Sequence, residues 1–375
     1  MGRTYCTDSC PIYIVEIRGD GAGVYRGDRW VLVKGEHPFQ VPSETVQCLV
    51  DAFRAADFWS LSPSYRTHSA YEAVVTIRLE IGGQAKTVED EHGLLVGLPE
   101  AVARLEAAID AAGAGRYAYG DGGTVAALRA EGFDFHSRAA ATMLIRAANA
   151  SSDQVVLDLI AAGSPVNQAA IDTDVLAGKT AVETAAHLGR LETVRALVAA
   201  GAFEDAPYRA REAALVAAAK GAHPEVVAEL LKRGIEVNAR DAEGKIALLE
   251  AGSDVDLGMD DAKWEARKVE VVRLLLAAGA DPRQTGDQGA TPLHRASTPS
   301  EVQLLLAAGA SLEARDGEGQ TPLLATFGDD VALALIEAGA DTRARNGAGE
   351  PFMKLAKERG FTKSLAWLRA HSQGR

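Results

Sequence analysis

The segment GKTAVETAAHLGRLETVRALVAAGA, residues 178–202, decides the fold of this chain. Threonine opens its first helical pattern, and a second apolar pattern ends in glycine. That ending recurs with little change as LIAAG, LLKRG, LLAAG, LLAAG and LIEAG, at residues 159–163, 230–234, 275–279, 305–309 and 335–339. Successive final glycines, with Gly201 second in the series, lie 38, 33, 45, 30 and 30 residues apart. Such self-similarity predicts an array of stacked helical units.

A second motif keeps the same phase as the first. It reads TMLI, TAVE, TPLH and TPLL, at residues 142–145, 180–183, 291–294 and 321–324. Each copy is predicted to open the first of two helices, because threonine suits a helix N-cap and proline suits the first turn. The final glycine suits a left-handed residue that ends the second helix. Together the two motifs resemble the ankyrin repeat, which implies an all-α solenoid of helix pairs joined by hairpin fingers.

The predicted array occupies residues 124–375, with about six to seven repeats and terminal caps. A half unit at residues 125–133 suits the first cap, and an atypical unit at residues 349–368 suits the last. Extra residues lengthen two periods, around 165–177 and 252–266. Insertions in repeats often carry binding specificity, so these two are candidates for it, and a tolerated surface insertion is the equal alternative.

The first 115 residues show strand periodicity instead. Apolar residues alternate with polar ones along residues 74–81, and two glycines then suit a hairpin turn. A second hairpin is predicted from residues 12–17 to residues 24–33. Helical spacing follows Ser43, as a cap, and Pro99, at a first helical position. The order ββαββα predicts a small α+β domain over residues 1–115, followed by a linker over residues 116–123.

Several residues of this domain resemble a bacterial domain family of unknown function. The opening of that family, Cys-x3-Cys-Pro-x-Tyr, is matched by Cys6, Cys10, Pro11 and Tyr13, with Tyr25 beyond an Asp-Gly turn. Its acidic helix is matched by Leu105, Glu106, Ile109 and Asp110. Because the family has no established activity, the resemblance implies a domain boundary and no chemistry.

Composition excludes some classes of protein. The net charge is -13, and no Lys/Arg-rich module stands out, so we expect no nucleic-acid partner. No run approaches the roughly 20 apolar residues of a membrane span, and we expect no membrane insertion. The chain as written is expected in the cytoplasm. Since Cys6 lies so close to Met1, an upstream start with an export signal is the alternative, and would place the protein in the periplasm or outside the cell.

The cysteines leave two readings open. A structural thiol pair or disulfide between Cys6 and Cys10 is favoured over a metal or redox site, because a second Cys or His pair at zinc spacing is missing. Cys48 falls in an apolar helical pattern and is predicted to be buried.

Gly178-Lys179-Thr180 resembles the end of a phosphate-binding loop, but the position that requires an earlier glycine is occupied by Thr173. We therefore expect no metal and no cofactor.

The favoured function is a non-enzymatic scaffold that holds a protein partner on the concave face and finger tips of the array. His294, in TPLH, is expected to hydrogen-bond between repeats. The candidate contact residues lie at the finger tips: Arg240, Glu243, Arg283, Asp287, Arg315, Glu318, Arg343 and Arg345. For Arg240, Arg315 and Arg345, a grip on partner carboxylates competes with a solvated role. The alternative function is an enzymatic or thiol-redox activity of the N-terminal domain, using Cys6, Cys10, His68 and His92, with the repeats recruiting its substrate.

Overall fold

A computed structural model describes residues 1–4, 11–67, 74–91, 93–150, 153–170, 176, 178–204, 209–254, 260–286 and 288–371. The chain folds into two compact units, Met1–Ala181 and Val182–Arg375. The first unit holds the α+β domain and the beginning of the helical array. The second holds the rest of the array. No helix in the described part of the chain is both long and apolar enough to cross a membrane.

A single sheet forms the centre of the α+β domain. Its strands are β1 Gly2–Thr4, β2 Ile12–Ile17, β3 Ala22–Arg29, β4 Gly35–Gln40, β5 Ser64–Arg66, β6 Val74–Ile81 and β7 Gln84–Glu91. Their order is β4-β3-β2-β1-β6-β7-β5. The pairing is antiparallel throughout, except that β5 runs parallel to β7. Both predicted hairpins are present, and Gly82 and Gly83 turn between β6 and β7 with φ of 60° and 78°.

Three strands were missing from the predicted order. The strands β1 and β5 have only three residues each, too few to show a period, and β4 contains Pro38, which alternation does not flag and which suits an edge strand. The predicted second strand was also too long, since β3 ends at Arg29. The α+β class holds, with the order ββββαβββα in place of ββαββα.

Two α-helices and a wider helix complete the domain. They are α1 Ser43–Ala55, α2 Glu100–Ile109 and a π-helix, Asp110–Tyr119. The predicted caps were shifted by one residue: Pro42 and Pro99 occupy the N-cap positions. Cys48 lies on the exposed side of α1, so the prediction of a buried thiol was wrong, because only Leu49 of that helix is fully buried. The predicted linker is helical as far as Tyr119.

The array begins in the first unit. It starts with a lone helix, α3 Thr124–Ala130, and a pair, α4 Arg138–Ala150 and α5 Asp153–Ala161. Thr142 was expected to open the first helix of this pair, but α4 already begins at Arg138.

Six more helix pairs follow among the described residues. Their bounds are α6 Ala181–His187 with α7 Leu191–Ala199, α8 Ala210–Lys220 with α9 Pro224–Lys232, α10 Ala247–Glu250 with α11 Asp261–Ala277, a 3-10 turn Pro292–Arg295 with α12 Pro299–Ala307, α13 Pro322–Ala325 with α14 Asp329–Glu337, and α15 Phe352–Glu358 with α16 Lys363–His371. Second helices end as predicted, with Gly309 and Gly339 at φ of 96° and 98°.

Two layers organise the second unit. From α8 onward, the first helices contact one another in succession, through α10, the 3-10 turn, α13 and α15. The second helices do the same from α7 to α16. We call the first helices, together with the residues directly after each, the first-helix layer. The insertion at residues 252–266 lengthens α11, which Asp260 caps and in which Trp264 is buried.

Candidate functional site

Three of the finger arginines bind backbone carbonyls, and they do so in the same way. Arg240, Arg315 and Arg345 each donate from Nη1 to the carbonyl oxygen four residues ahead, at 2.5, 2.5 and 2.6 Å. Arg240 also donates to the carbonyl of Thr285 (2.7 Å), and Arg315 to that of Arg345 (2.8 Å). These second acceptors lie in the next finger. The guanidinium groups therefore close each hairpin, and those of Arg240 and Arg315 also join it to its neighbour.

Backbone contacts reinforce this arrangement. The amide of Gly317 donates to the carbonyl of Gln288 at 2.7 Å, and the amide of Gly347 to that of Glu318 at 2.8 Å. Within a finger, Asp316 Oδ1 accepts from the amides of Glu318 and Gln320, an Asx-type turn. The finger tips thus have a fixed conformation that is set by their own side chains.

The other predicted contact residues lie at the surface of the same fingers. Arg283 is exposed and pairs with Asp281 at 2.9 Å, which lowers the pKa of that carboxyl through the side-chain hydrogen bond. Glu243 pairs with Lys245 at 2.7 Å, and Glu318 accepts from Gln320 Nε2 at 2.6 Å. Arg343 is exposed. Asp287 lies outside the described residues.

Exposed apolar side chains have a distinct distribution in the second unit. Among its described residues, the large apolar side chains classed as exposed are Leu188 (41%), Phe327 (81%) and Met353 (40%). All three belong to the first-helix layer: Leu188 directly follows α6, Phe327 follows α13, and Met353 lies in α15. The second helices of this unit contribute none within the described ranges. The apolar surface therefore lies on the side of the array that the first helices form.

Phe327 is held in place by a neighbouring repeat. The guanidinium carbon of Arg359 lies 4.5 Å from the centroid of the Phe327 ring. The same guanidinium donates to the carbonyls of Leu324 (2.8 Å) and Thr326 (2.5 Å). Burial lowers the pKa of Arg359 from its ordinary value, although that value is so high that the group stays charged. An aromatic side chain that is exposed yet fixed loses little conformational entropy when a partner covers it.

His294 joins successive repeats, as predicted from its motif. Its Nδ1 accepts from the backbone amide of Thr291 at 3.1 Å, and its Nε2 lies 3.1 Å from the carbonyl oxygen of Gln320. A carbonyl oxygen only accepts, so Nε2 carries the proton. Burial lowers the pKa of His294 and favours this neutral form.

Motif residues of the N-terminal domain meet in its core. Tyr13 donates to Asp110 Oδ1 at 2.6 Å, which joins the two halves of the sequence motif. Tyr25 packs between Tyr13, with the two rings tilted at a centroid distance of 5.8 Å, and Tyr117, on which it stacks at 5.2 Å, and burial raises its pKa. These contacts pack the domain together. The residues proposed for chemistry, Cys6, Cys10, His68 and His92, lie outside the described residues. Among the residues that the structure describes, no three His, Cys, Asp or Glu side chains come together as a metal site.

Phe327 and Arg359 were not among the predicted site residues. An isolated Phe and an isolated Arg 32 positions later carry no sequence pattern. One sequence signal was available. The two shortest periods, of 30 residues, lack the last residues of the first helix. A repeat of ordinary length has a buried alanine at that place.

Two family models match this chain. Residues 1–113 match the family described as "Domain of unknown function (DUF6438)", and residues 144–241 and 261–346 match the family described as "Ankyrin repeats (3 copies)". A solved structure, the ankyrin repeat domain of Bcl-3, a unique member of the IkappaB protein family, is similar at 25% identity with a TM-score of 0.41. The alignment covers 56% of this chain and 90% of that one. A search of curated proteins finds no match. The chain therefore carries ankyrin repeats after an N-terminal domain that matches the family of unknown function.

Proposed function

We propose that this protein is a scaffold that binds a protein partner across the concave face and finger tips of its ankyrin array. The observation that carries the proposal is the exposed, fixed ring of Phe327 in a layer that also holds Leu188 and Met353. Binding energy at protein interfaces concentrates in a few anchors of this kind, often aromatic. The first-helix layer supplies such anchors, and the described second helices of the same unit do not.

The fingers contribute in two ways. Arg240, Arg315 and Arg345 give the fingers their shape through backbone carbonyls, so a partner meets a preformed surface. Among the remaining candidates, Arg283 and Arg343 expose charged groups that a partner can contact. We place Glu243 and Glu318 beside them as further contacts and retain Asp287 as a candidate.

The N-terminal domain enters this proposal without chemistry of its own. Tyr13, Tyr25, Tyr117 and Asp110 are used in packing, and we propose that the protein is not an enzyme. We also propose that nucleic acid is not the partner, since a net charge of -13 repels a polyanion.

The test is partner capture from lysate of the source organism with matched variants. Phe327→Ala removes the fixed ring, whereas Leu157→Ala removes an exposed leucine (43%) from α5, the second helix of its pair. A protein captured by the wild type and by Leu157→Ala, but at least tenfold less by Phe327→Ala, supports the proposal, since anchor losses reach about 2 kcal/mol or more. Equal capture by all three proteins contradicts it.

A second pair of variants addresses the fingers. Arg283→Glu with Arg343→Glu reverses two tip charges without touching the arginines that bind backbone. We expect weaker capture, with a salt dependence that the wild type shows and the double variant loses. If capture is unchanged at every salt concentration, the partner does not contact the finger tips.

A further inference from the structure

We propose that the N-terminal domain is the amino-terminal cap of the ankyrin array, and that Glu131 is the residue that couples the two. This assigns a role to the domain that is separate from partner binding. A stacked array exposes an apolar helix face at each end unless a polar element covers it. The α3 helix is the first element of the array, so its surroundings decide what covers that end.

The α3 helix cannot be stable by itself. It has seven residues, far fewer than an isolated helix needs in water. Yet Thr124 and Leu128 are fully buried and Val125 is 8% exposed. One contact that buries it comes from α5, in the array. Another comes from the N-terminal domain, since Thr124 Oγ1 donates to the carbonyl oxygen of Arg116 in the π-helix at 2.8 Å.

Glu131, which directly follows α3, binds the domain through both carboxylate oxygens. Tyr117 of the π-helix donates its hydroxyl proton to Oε1 at 2.8 Å. His37 of β4 places Nδ1 2.7 Å from Oε2. The His37 and Glu131 side chains are only 13% and 24% exposed, so water screens this contact less than it would a surface pair. One carboxylate thus ties the end of α3 to two separate elements of the domain.

The platform that receives Glu131 is rigid. Tyr117 is 2% exposed and stacks on His37 and Tyr25, at centroid distances of 5.0 and 5.2 Å. The amides of Leu32 and Val33 donate to the carbonyls of Ala118 and Tyr117, each at 2.9 Å. Burial, and then the hydrogen bond to Glu131, raises the pKa of the Tyr117 phenol, which keeps it protonated as a donor.

An electrostatic interaction also links α4 to the aromatic cluster. Burial is the main cause that raises the pKa of Tyr25, while the charge of Arg146, on α4, opposes this shift. A domain on a flexible tether would not occupy both oxygens of Glu131. The division of the chain into units agrees, since the domain, α3, α4 and α5 all fall in Met1–Ala181.

Hydrogen exchange of the full chain tests the cap. Glu131→Ala removes both contacts, and we expect exchange to rise about tenfold in α3 and in α4, beyond the site of substitution, with the helices from α8 onward unchanged. Tyr117→Phe keeps the ring and removes one hydrogen bond, so a rise of about threefold is expected in the same helices. Glu265→Ala is the control, since it removes an exposed glutamate from α11.

The outcomes separate clearly. Faster exchange in α3 and α4 for both first-unit variants, with none for the control, supports the cap. Exchange that changes only next to residue 131 overturns it, because the domain would then not stabilise the array. If Glu131→Ala fails to fold, Tyr117→Phe decides alone: unchanged exchange in α3 and α4 overturns the proposal.

Discussion

Repeats of the second unit have first helices of two very different lengths. The first helix α8 has eleven residues, and five of its seven buried residues are alanines. The next three pairs have first helices of only four residues, α10, the 3-10 turn and α13. Where the helix is long, small side chains let neighbouring helices pack closely. Where it is one turn, charged side chains near its end join the repeats as well, as Arg267 does beside α8 by donating to the carbonyl of Ala222 at 2.9 Å.

A polar contact between repeats lies near the end of each short helix. Glu250 of α10 pairs with Arg295 of the 3-10 turn at 3.1 Å. Lys268 of α11 pairs with Glu301 of α12 at 3.1 Å, and both are nearly buried. For α13, the contact is Arg359 on the carbonyls of Leu324 and Thr326. These polar contacts add to the apolar packing of the short helices, in which Leu249 and Leu323 are buried.

The largest expected effect comes from breaking the buried pair. Lys268→Met keeps an unbranched apolar stem and removes the charge, which leaves the Glu301 carboxylate, 2% exposed, with neutral donors only. We expect a loss of about 3 kcal/mol in unfolding free energy, measured by urea denaturation of the full chain. Adding Glu301→Gln should recover part of this loss. A single variant as stable as the wild type would show that the pair does not hold these repeats together.

Overpacking the long helix should come next. Ala218 of α8 is fully buried, so Ala218→Leu has no room for three added carbons and should destabilise by about 2 kcal/mol in the same measurement. Ala266→Leu, on the exposed side of α11, is the matched control and should change little. Equal tolerance at both positions would remove the contrast between the two kinds of repeat.

A carboxylate that caps the last helix gives a smaller effect. Asp329 accepts from the amides of Thr362, Lys363 and Ser364, at 2.7, 2.7 and 3.0 Å. Asp329→Asn should cost about 1 kcal/mol, seen as faster exchange in α16. Burial alone would raise the pKa of Asp329, but these hydrogen bonds outweigh it and lower the pKa.

The lowered pKa of Asp329 determines how the stability of this helix end changes with pH. The stabilisation by Asp329 is fully present above the unfolded pKa, about 3.9, and is lost as pH falls through the lower folded value. The protection of α16 amides, corrected for the intrinsic exchange rate, should therefore fall more steeply in acid in the wild type than in Asp329→Asn. Parallel acid profiles would count against the cap.

The smallest effect is expected at His294. Its folded pKa lies below the unfolded value of 6.5, so its contribution is complete above that pH and declines as pH falls through the folded pKa. The melting temperature should drop between about pH 7 and pH 5, and less so in His294→Gln. His371→Gln, at an exposed histidine, should keep the wild-type profile. Identical profiles for all three proteins would show that His294 does not join the repeats energetically.

The sequence by itself determined the ankyrin array, the α+β class of the N-terminal domain and the role of His294. The repeat period, the helix-ending glycine and the phase of the two motifs are local properties of the sequence. Local properties can be recognised without a structure. The strands β1, β4 and β5 could not be predicted from the sequence, because a strand of three residues or one with a proline shows no alternation.

Only the tertiary structure decided where the exposed and coupled side chains lie. Arg240 and Arg315 recur at one finger position, but sequence does not say whether a guanidinium faces solvent or the carbonyls of the next finger. Phe327 with Arg359, and His37 with Glu131, are 32 and 94 residues apart and meet only after the chain has folded. Contacts between distant residues depend on geometry that no local pattern encodes, and it is these contacts that carry both proposals.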